Sequence, residues 1–211
     1  KPPMSRRFRV GRRSLPLVDE LVDLLVVGLG NPGVEHTGTR HNVGRDVVAE
    51  LCVRHAARLR KSREHALVAE VRMADRRVTL ASPQTFMNES GRSVGRLARR
   101  YGITDLARLV IVHDEMDLPV GTVRVKRGGG LAGHNGLRSV SDHLQTRDYV
   151  RIRIGVGRPP QGQSSAGHVL RQPNPEEKAG LAESISKAAD AVEGIVSDGI
   201  ELTMGVYNAR G

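Results

Sequence analysis

Leu24-Leu25-Val26-Val27-Gly28 runs directly into Leu29-Gly30-Asn31-Pro32-Gly33, and the reading of these ten residues decides the fold. A short, continuous apolar run closed by glycine is the pattern of a buried strand feeding a turn. Residues 28–33 also spell G-x-G-x-x-G, the fingerprint of a dinucleotide-binding turn. That fingerprint needs a helix to start inside the motif, so that its N-terminus meets a pyrophosphate. Here the helical period begins only after Val43, about fourteen residues later, with Val47, Val48 and Leu51 on one face. Nor does an acidic residue end a second strand at the required offset, since Asp46 and Glu50 fall on the helix. The nucleotide reading is therefore set aside. Asn31-Pro32-Gly33 instead suggests a type II turn, with proline presetting φ and glycine taking the left-handed position. Such a turn fixes the Asn31 amide at the rim of a sheet, where a rigid polar group can serve a substrate.

Outward from this stretch the pattern is mixed α/β. The helical repeat covers 45–59. Ala66–Met73 and Arg77–Ala81 form a strand pair around Ala74-Asp75, and an amphipathic helix covers Ser93–Tyr101. Leu109–Val112 is a further buried strand, followed at once by His113-Asp114-Glu115. Val123–Val125 is a brief strand, Asn135–Leu144 a helix, and Val150–Val156 alternates as a half-buried strand does. Residues 157–175, rich in Gly, Pro, Ser and Gln, read as a mobile surface segment with a short helical piece near Gly167–Leu170. Beyond Pro175, apolar residues at Leu181, Ile185, Ala188, Val192 and Ile195 follow helical spacing. The expectation is a single α/β domain over 21–211, its central mixed β-sheet sandwiched by helices, behind a basic tail over 1–20.

The 211 residues carry a formal charge of +10 and a pI of about 10.7, which points to a polyanionic partner, nucleic acid or an anionic surface. Lys1, Arg6, Arg7, Arg9, Arg12 and Arg13 supply six of those charges before the first acid, Asp19, so the rest carries about +4. A lone cysteine, Cys52, excludes an intrachain disulfide framework, as expected of a cytoplasmic protein. No apolar run approaches the ~18 residues of a membrane span, so no membrane partner is expected.

The chemistry-bearing candidates cluster in the loops. His41, in Thr39-Arg40-His41-Asn42, lies between strand and helix, and Asp114 follows a buried strand. A carboxylate at that rim can hold the imidazole by one nitrogen, and a base with an orienting acid is the minimum apparatus for activating water. A metal is the competing use of His36, His41, His113, Asp114 and Glu115. Their spacing fits no zinc motif, so no metal is expected. No Gly-x-Ser-x-Gly elbow offers a serine nucleophile. The glycines of 128–136 allow backbone to approach a ligand closely. Around them, Leu118–Ser141 holds no acid but carries Arg124, Lys126, Arg127 and Arg138, and Tyr149–Pro175 likewise carries Arg151, Arg153, Arg158 and Arg171. Both stretches suit phosphate.

Five segments, GLGNPG (28–33), TRHNVG (39–44), TFMNESG (85–91), HDEMDLP (113–119) and GGGLAGHNGL (128–137), occur in one order. Together they resemble the peptidyl-tRNA hydrolase family of the bacterial type, and the resemblance runs from about Leu24 to Tyr207. It implies a compact, monomeric enzyme without a cofactor that hydrolyses the ester between a peptide and the terminal ribose of tRNA. On this chain it implies His41 as base, with Asp114 orienting it. Asn31, Asn88 and Asn135 would contact the peptidyl ester and the CCA end, with His36 and Met87 in the same substrate-binding set. Lys126 and Arg153 match the clamp on the 5′ phosphate of the acceptor stem. Two positions depart from the family's habit: His36 stands where tyrosine is common, and Leu131 where histidine often follows the glycine triplet. The first bears on contacts near the scissile ester, the second only on a loop flank.

Overall fold

The computed structural model describes residues 21–209; the tail expected over 1–20 lies outside them. The apolar run is strand β1, Leu24–Gly28, buried along its whole length. It sits near the middle of a seven-stranded sheet, between β4 (Arg76–Pro83) and β5 (Leu109–Glu115) and parallel to both. Central parallel strands are covered on two faces and need no polar alternation, which is why β1 and β5 read as unbroken apolar runs. The spatial order is β2-β3-β4-β1-β5-β7-β6, where β2 is Arg60–Ser62, β3 Ala66–Met73, β6 Val123–Arg127 and β7 Val150–Gly155. β7 is parallel to β5, whereas β2, β3 and β6 pair antiparallel, so the sheet is mixed as expected.

Helices cover both faces. On one, α1 (Val43–Arg54), α5 (Pro175–Asp198) and the short α6 (Ile200–Asn208) pack a core containing Val47, Val48, Leu51, Leu181, Ala188, Val192 and Ile195. On the other, α2 (Ser90–Arg100) and α3 (Asn135–Leu144) close a second core around Val94, Leu97, Leu137 and Val140. The remaining helix, α4, is Ser165–Val169. The β3–β4 hairpin turns through Ala74 and Asp75, both at positive φ (44° and 62°), as a two-residue turn between twisted strands requires. Asn174 and Glu177 form a reciprocal capping box at the start of α5.

Three details differ from the sequence reading. α1 ends at Arg54 rather than near 59, because the chain turns at Ala56 (φ 49°) before β2, whose three polar residues gave no apolar signal. α6 follows the break at Gly199. Gly33 does take a positive φ of 100°, but its ψ of 150° opens the chain instead of closing a type II turn. The segment runs on through two 3₁₀ turns, Val34–His36 and Arg40–Asn42, before α1.

That long path is possible because β1 and α1 nearly touch. A Cβ on Gly28 would stand 2.0 Å from the Gly44 carbonyl oxygen, and one on Gly44 would stand 2.2 Å from that of Val112. Glycine at both positions lets the start of α1 press on the ends of β1 and β5. The contact is pinned by Leu29 N–H to Val112 O (3.0 Å) and Arg45 N–H to Leu29 O (3.1 Å).

Candidate active site

β4, β1, β5 and β7 run parallel, so their C-terminal ends share one rim, the usual place for a site in a parallel sheet. A cavity of about 560 Å³ opens there. Asn31 and His36 enter it after β1, Met87 and Asn88 after β4, and Asp114 from the end of β5. His41 comes from the second 3₁₀ turn and Asn135 from the first residue of α3. Seven of the nine residues singled out from the sequence therefore line one cavity. Lys126 and Arg153 do not.

At its floor, His41 Nδ1 lies 2.8 Å from Asp114 Oδ1. His134, not singled out from the sequence, brings its Nε2 to the same oxygen, also at 2.8 Å. His134 is the N-cap of α3, and its Nδ1 accepts the backbone N–H groups of Gly136 (3.1 Å) and Leu137 (3.3 Å). A nitrogen that accepts carries no proton, so the proton of His134 sits on Nε2 and is donated to Asp114. An ionised carboxylate only accepts, so His41 likewise donates from Nδ1, and its Nε2 is left as the basic nitrogen. Burial alone pushes the Asp114 carboxyl up; His134 and His41 beside it outweigh that and hold it well below the usual carboxylate range. His113, wholly buried next door, is pushed down to about 3, first by burial and then by His134. Its Nδ1 donates to the Asp114 carbonyl at 2.8 Å.

His41, Asp114 and His134 offer three ligand atoms within 4.8 Å of one another, a different set from the metal candidates taken from spacing. A metal-bound imidazole donates its second N–H to an acceptor. His134 does the opposite, since its second nitrogen faces two N–H donors and Nε2 has no lone pair to give. The cluster has the donor pattern of a proton network.

The amides are fixed as firmly. Asn42, fully buried, grips the backbone of Asn31 from both sides: its Oδ1 accepts the Asn31 N–H (2.8 Å) and its Nδ2 donates to the Asn31 carbonyl (3.0 Å). The Asn31 side-chain oxygen accepts the Met87 N–H (2.8 Å), which leaves Nδ2 as the group without a partner among the described residues. Asn88 and Asn135 are exposed at the cavity mouth, with Phe86 beside them. His36 is half-buried and stands 3.9 Å from Glu35. His134 and Asn42 are the site residues that sequence reasoning missed. Both stood in quoted motifs, and the available signal for His134 was its position just before the first residue of a predicted helix.

Arg40, next to His41, is buried and ties the loop to the 157–175 segment. Its Nη1 donates to the carbonyls of His168 (3.2 Å), Arg171 (3.2 Å) and Gln172 (3.3 Å), and its Nη2 to Glu177 (2.6 Å). α4, within that segment, supplies Ser165, Ala166 and Val169 to the cavity wall.

Four basic residues of the two acid-free stretches face one another across the β6–β7 pair. Arg124 is opposite Arg153 and Lys126 opposite Arg151, so all four project from one face. Lys126 is exposed, while Arg153 is half-buried and donates to Glu115 Oε2 at 3.2 Å. Arg151 is buried beneath the glycine triplet, bonding the Gly130 carbonyl at 2.7 Å and that of Gly128 as well.

Comparison with known proteins bears on this arrangement. A family model described as peptidyl-tRNA hydrolase matches residues 25–211. A peptidyl-tRNA hydrolase of Frankia alni is 50% identical over 185 residues, covering 88% of this chain and 93% of that protein. One of Kineococcus radiotolerans is 46% identical over 192 residues, covering 88% and 96%. The crystal structure of peptidyl-tRNA hydrolase from Acinetobacter baumannii superposes with a TM-score of 0.83 at 34% identity, covering 90% of this chain and 96% of that one.

Proposed function

The chain belongs to the peptidyl-tRNA hydrolase family, and from that premise we propose that it cleaves its substrate with water activated by His41. It hydrolyses the ester joining a peptide to tRNA, releasing both and returning the tRNA to translation. The observation that carries the mechanism is the 2.8 Å bond from His41 Nδ1 to a buried Asp114 oxygen, which leaves Nε2 as the base of the cavity. In this reading Nε2 takes a proton from water as the water oxygen attacks the ester carbonyl, and Asp114 stabilises the resulting imidazolium. Help of this kind is worth roughly 10²–10⁴ in rate. As the tetrahedral intermediate collapses, the same proton passes to the departing ribose oxygen.

Negative charge gathers meanwhile on the carbonyl oxygen. The Asn31 Nδ2 group is the donor we assign to it, because the Met87 N–H holds its amide oxygen and Asn42 holds its backbone, so it needs no reorganisation. One such donor contributes about 10²–10³. Asn88 and Asn135 at the mouth pair with the first peptide N–H and C=O and with the CCA end, and His36 and Met87 complete the wall. A free aminoacyl ester would bring an ammonium group to these amides, and an unpaired charge there is costly, so aminoacyl-tRNA is spared. Lys126 and Arg153 grip the 5′ phosphate of the acceptor stem. A monomer acting in the cytoplasm, where ribosomes supply the substrate, belongs to the same reading. Among the described residues no helix is long and apolar enough to cross a membrane.

The test is release of an N-acylated amino acid from tRNA by the protein and by His41→Ala. The variant is expected to lose at least ~10² in turnover with tRNA binding nearly intact, since only transition-state chemistry is removed. Near-normal turnover would refute the base assignment. Absence of cleavage by the unaltered protein would leave an RNA-binding role, and loss on chelation a metal-dependent esterase.

A further inference from the structure

We propose that His134 is a positioning residue for hydrolysis: pinned by the N-terminus of α3 as an Nε2–H donor, it shares Asp114 Oδ1 with His41 and so sets how strongly the carboxylate draws a proton onto His41. The proposal rests on His41 being the base and adds a second imidazole to its control.

The geometry leaves His134 little choice. Two converging backbone N–H groups hold its Nδ1 lone pair at 3.1 and 3.3 Å. Protonating Nδ1 would turn both hydrogen bonds into repulsions, at the positive end of a helix. His134 is thus built as a neutral donor. The oxygen it reaches at 2.8 Å is the one His41 reaches at 2.8 Å. Each N–H that Oδ1 accepts draws on the same negative charge, so a second donor weakens its pull on the first. A carboxylate bonded to His41 alone would favour the imidazolium more strongly, and a base already protonated takes no proton from water. The rings of His41 and His134 stand 4.9 Å apart, and His113 meets His134 edge-on at 5.1 Å, so the three imidazoles pack against one another.

Other titratable or charged groups lie on the elements that frame the cavity around this carboxylate. His113 and Glu115 lie on its own strand, Glu115 being tied to Arg153. Arg151 lies on β7 under the glycine triplet, Arg45 on α1 bonds the Asn31 carbonyl, and His36 lies on the cavity wall. Among the described residues only His41 and His134 bond the Asp114 side chain.

Two substitutions separate the two nitrogens. An asparagine amide reaches about as far as Nδ1 and is a favoured N-cap, so His134→Asn keeps the helix capped but falls short of Asp114. A glutamine amide reaches about as far as Nε2, so His134→Gln retains a donor to Oδ1. Removing the donor makes Oδ1 more negative, the imidazolium of His41 is favoured, and the base is lost at a higher pH. In His134→Asn the acid limb of the pH–rate profile for N-acyl-aminoacyl-tRNA is therefore expected to move up by about half a pH unit or more, with the melting temperature held. His134→Gln is expected to bring the limb back toward that of the unaltered protein. A folded His134→Asn with an unmoved acid limb overturns the proposal. So does a folded His134→Gln displaced as far as the asparagine variant, since that would assign His134 to ring packing alone. The underlying reading fails separately: an active His41→Ala removes the base whatever the profiles of the His134 variants.

Discussion

The cavity and the basic face of β6–β7 both present polar groups, yet these are held on opposite plans. In the cavity the key groups are short and each is held more than once. Asp114 accepts from two imidazoles, Asn31 is gripped by Asn42 and by the Met87 amide, and His134 is fixed by two backbone N–H groups. On β6–β7 the groups are long: Arg151 bonds the Gly128 and Gly130 carbonyls and Arg124 that of Tyr207, whereas Lys126 and Arg153 have no backbone partner for their side chains among the described residues. Lys126 is exposed, and Arg153 rests on the buried Glu115 carboxylate at 3.2 Å. Bond-breaking chemistry needs donors already aimed at the transition state. Holding a phosphate needs little more than positive charge within a Debye length of about 8 Å. The contrast therefore separates rate from affinity, and variants in the two regions should fail in different ways.

The largest effect expected from breaking this separation is that of Asp114→Asn. An amide oxygen still accepts from both imidazoles, but it no longer stabilises the imidazolium, and turnover is expected to fall by at least ~10² with tRNA affinity unchanged. A rate near that of the unaltered protein would reduce Asp114 to a cap on β5, and a parallel fall in affinity would mean the two regions are not independent. The sign of its titration sharpens the test. The Asp114 carboxyl is held below its ordinary value of 3.8, so the stability it contributes is present above that pH and is lost only as the pH falls through its depressed value. Activity lost above that pH in a protein that stays folded then does not belong to Asp114, and circular dichroism across the range checks that the fold persists.

The same contrast explains what the sequence disclosed. β1 and β5 were legible because strands buried on both faces are continuous apolar runs, and α5 because its stripe follows one helical period. β2 and α6 were not, since three polar residues at a sheet edge and a helix after Gly199 carry no such signature. Asp114 and Asn31 were legible as polar residues just after or at the end of buried strands, and His41 as a histidine in the loop between strand and helix. The part played by His134 was hidden, because a histidine before a helix shows its role only when tertiary structure brings it to Asp114, twenty residues away on another element. The acid-free stretches misled in a similar way: Arg153 finds Glu115, Arg127 finds Asp148 and Arg158 finds Asp117. Absence of acids along the chain is not absence of acids in space.

A smaller effect is expected from replacing both Lys126 and Arg153 by alanine. Each neutralised phosphate releases counterions, with a slope of roughly −0.7 to −0.9 in log affinity against log salt, so a clamp on one phosphate should lose about one unit of slope. Cleavage of an N-acyl amino acid on a short CCA fragment, which lacks the 5′ phosphate, should hardly change. Equal loss on long and short substrates would put these residues at the ester or in the fold.

The smallest expected effect concerns the segment 157–175, which joins the two regions by running from β7 across the cavity to α5. The sequence suggested mobility throughout, and the contacts divide it. Its second half is tied down: Arg40 bonds the carbonyls of His168, Arg171 and Gln172, and the His168 ring bonds the Gly157 carbonyl at 3.1 Å. Its first half, 158–164, is exposed apart from the intermediate Pro159, and the one backbone N–H bond it donates among the described residues is a turn from Gln163 to Pro160 O at 3.1 Å. If this half gates the cavity, its amides should exchange quickly in the free protein and roughly tenfold more slowly with an acceptor-stem tRNA bound, while those of 168–172 stay protected in both states. Equal exchange of 158–164 with and without tRNA removes the gate. Fast exchange of 168–172 in the free protein would break the division itself, because a lid loose over its whole length would leave Arg40, and with it the loop that carries His41, tied to α5 through Glu177 but no longer to the lid until substrate arrives.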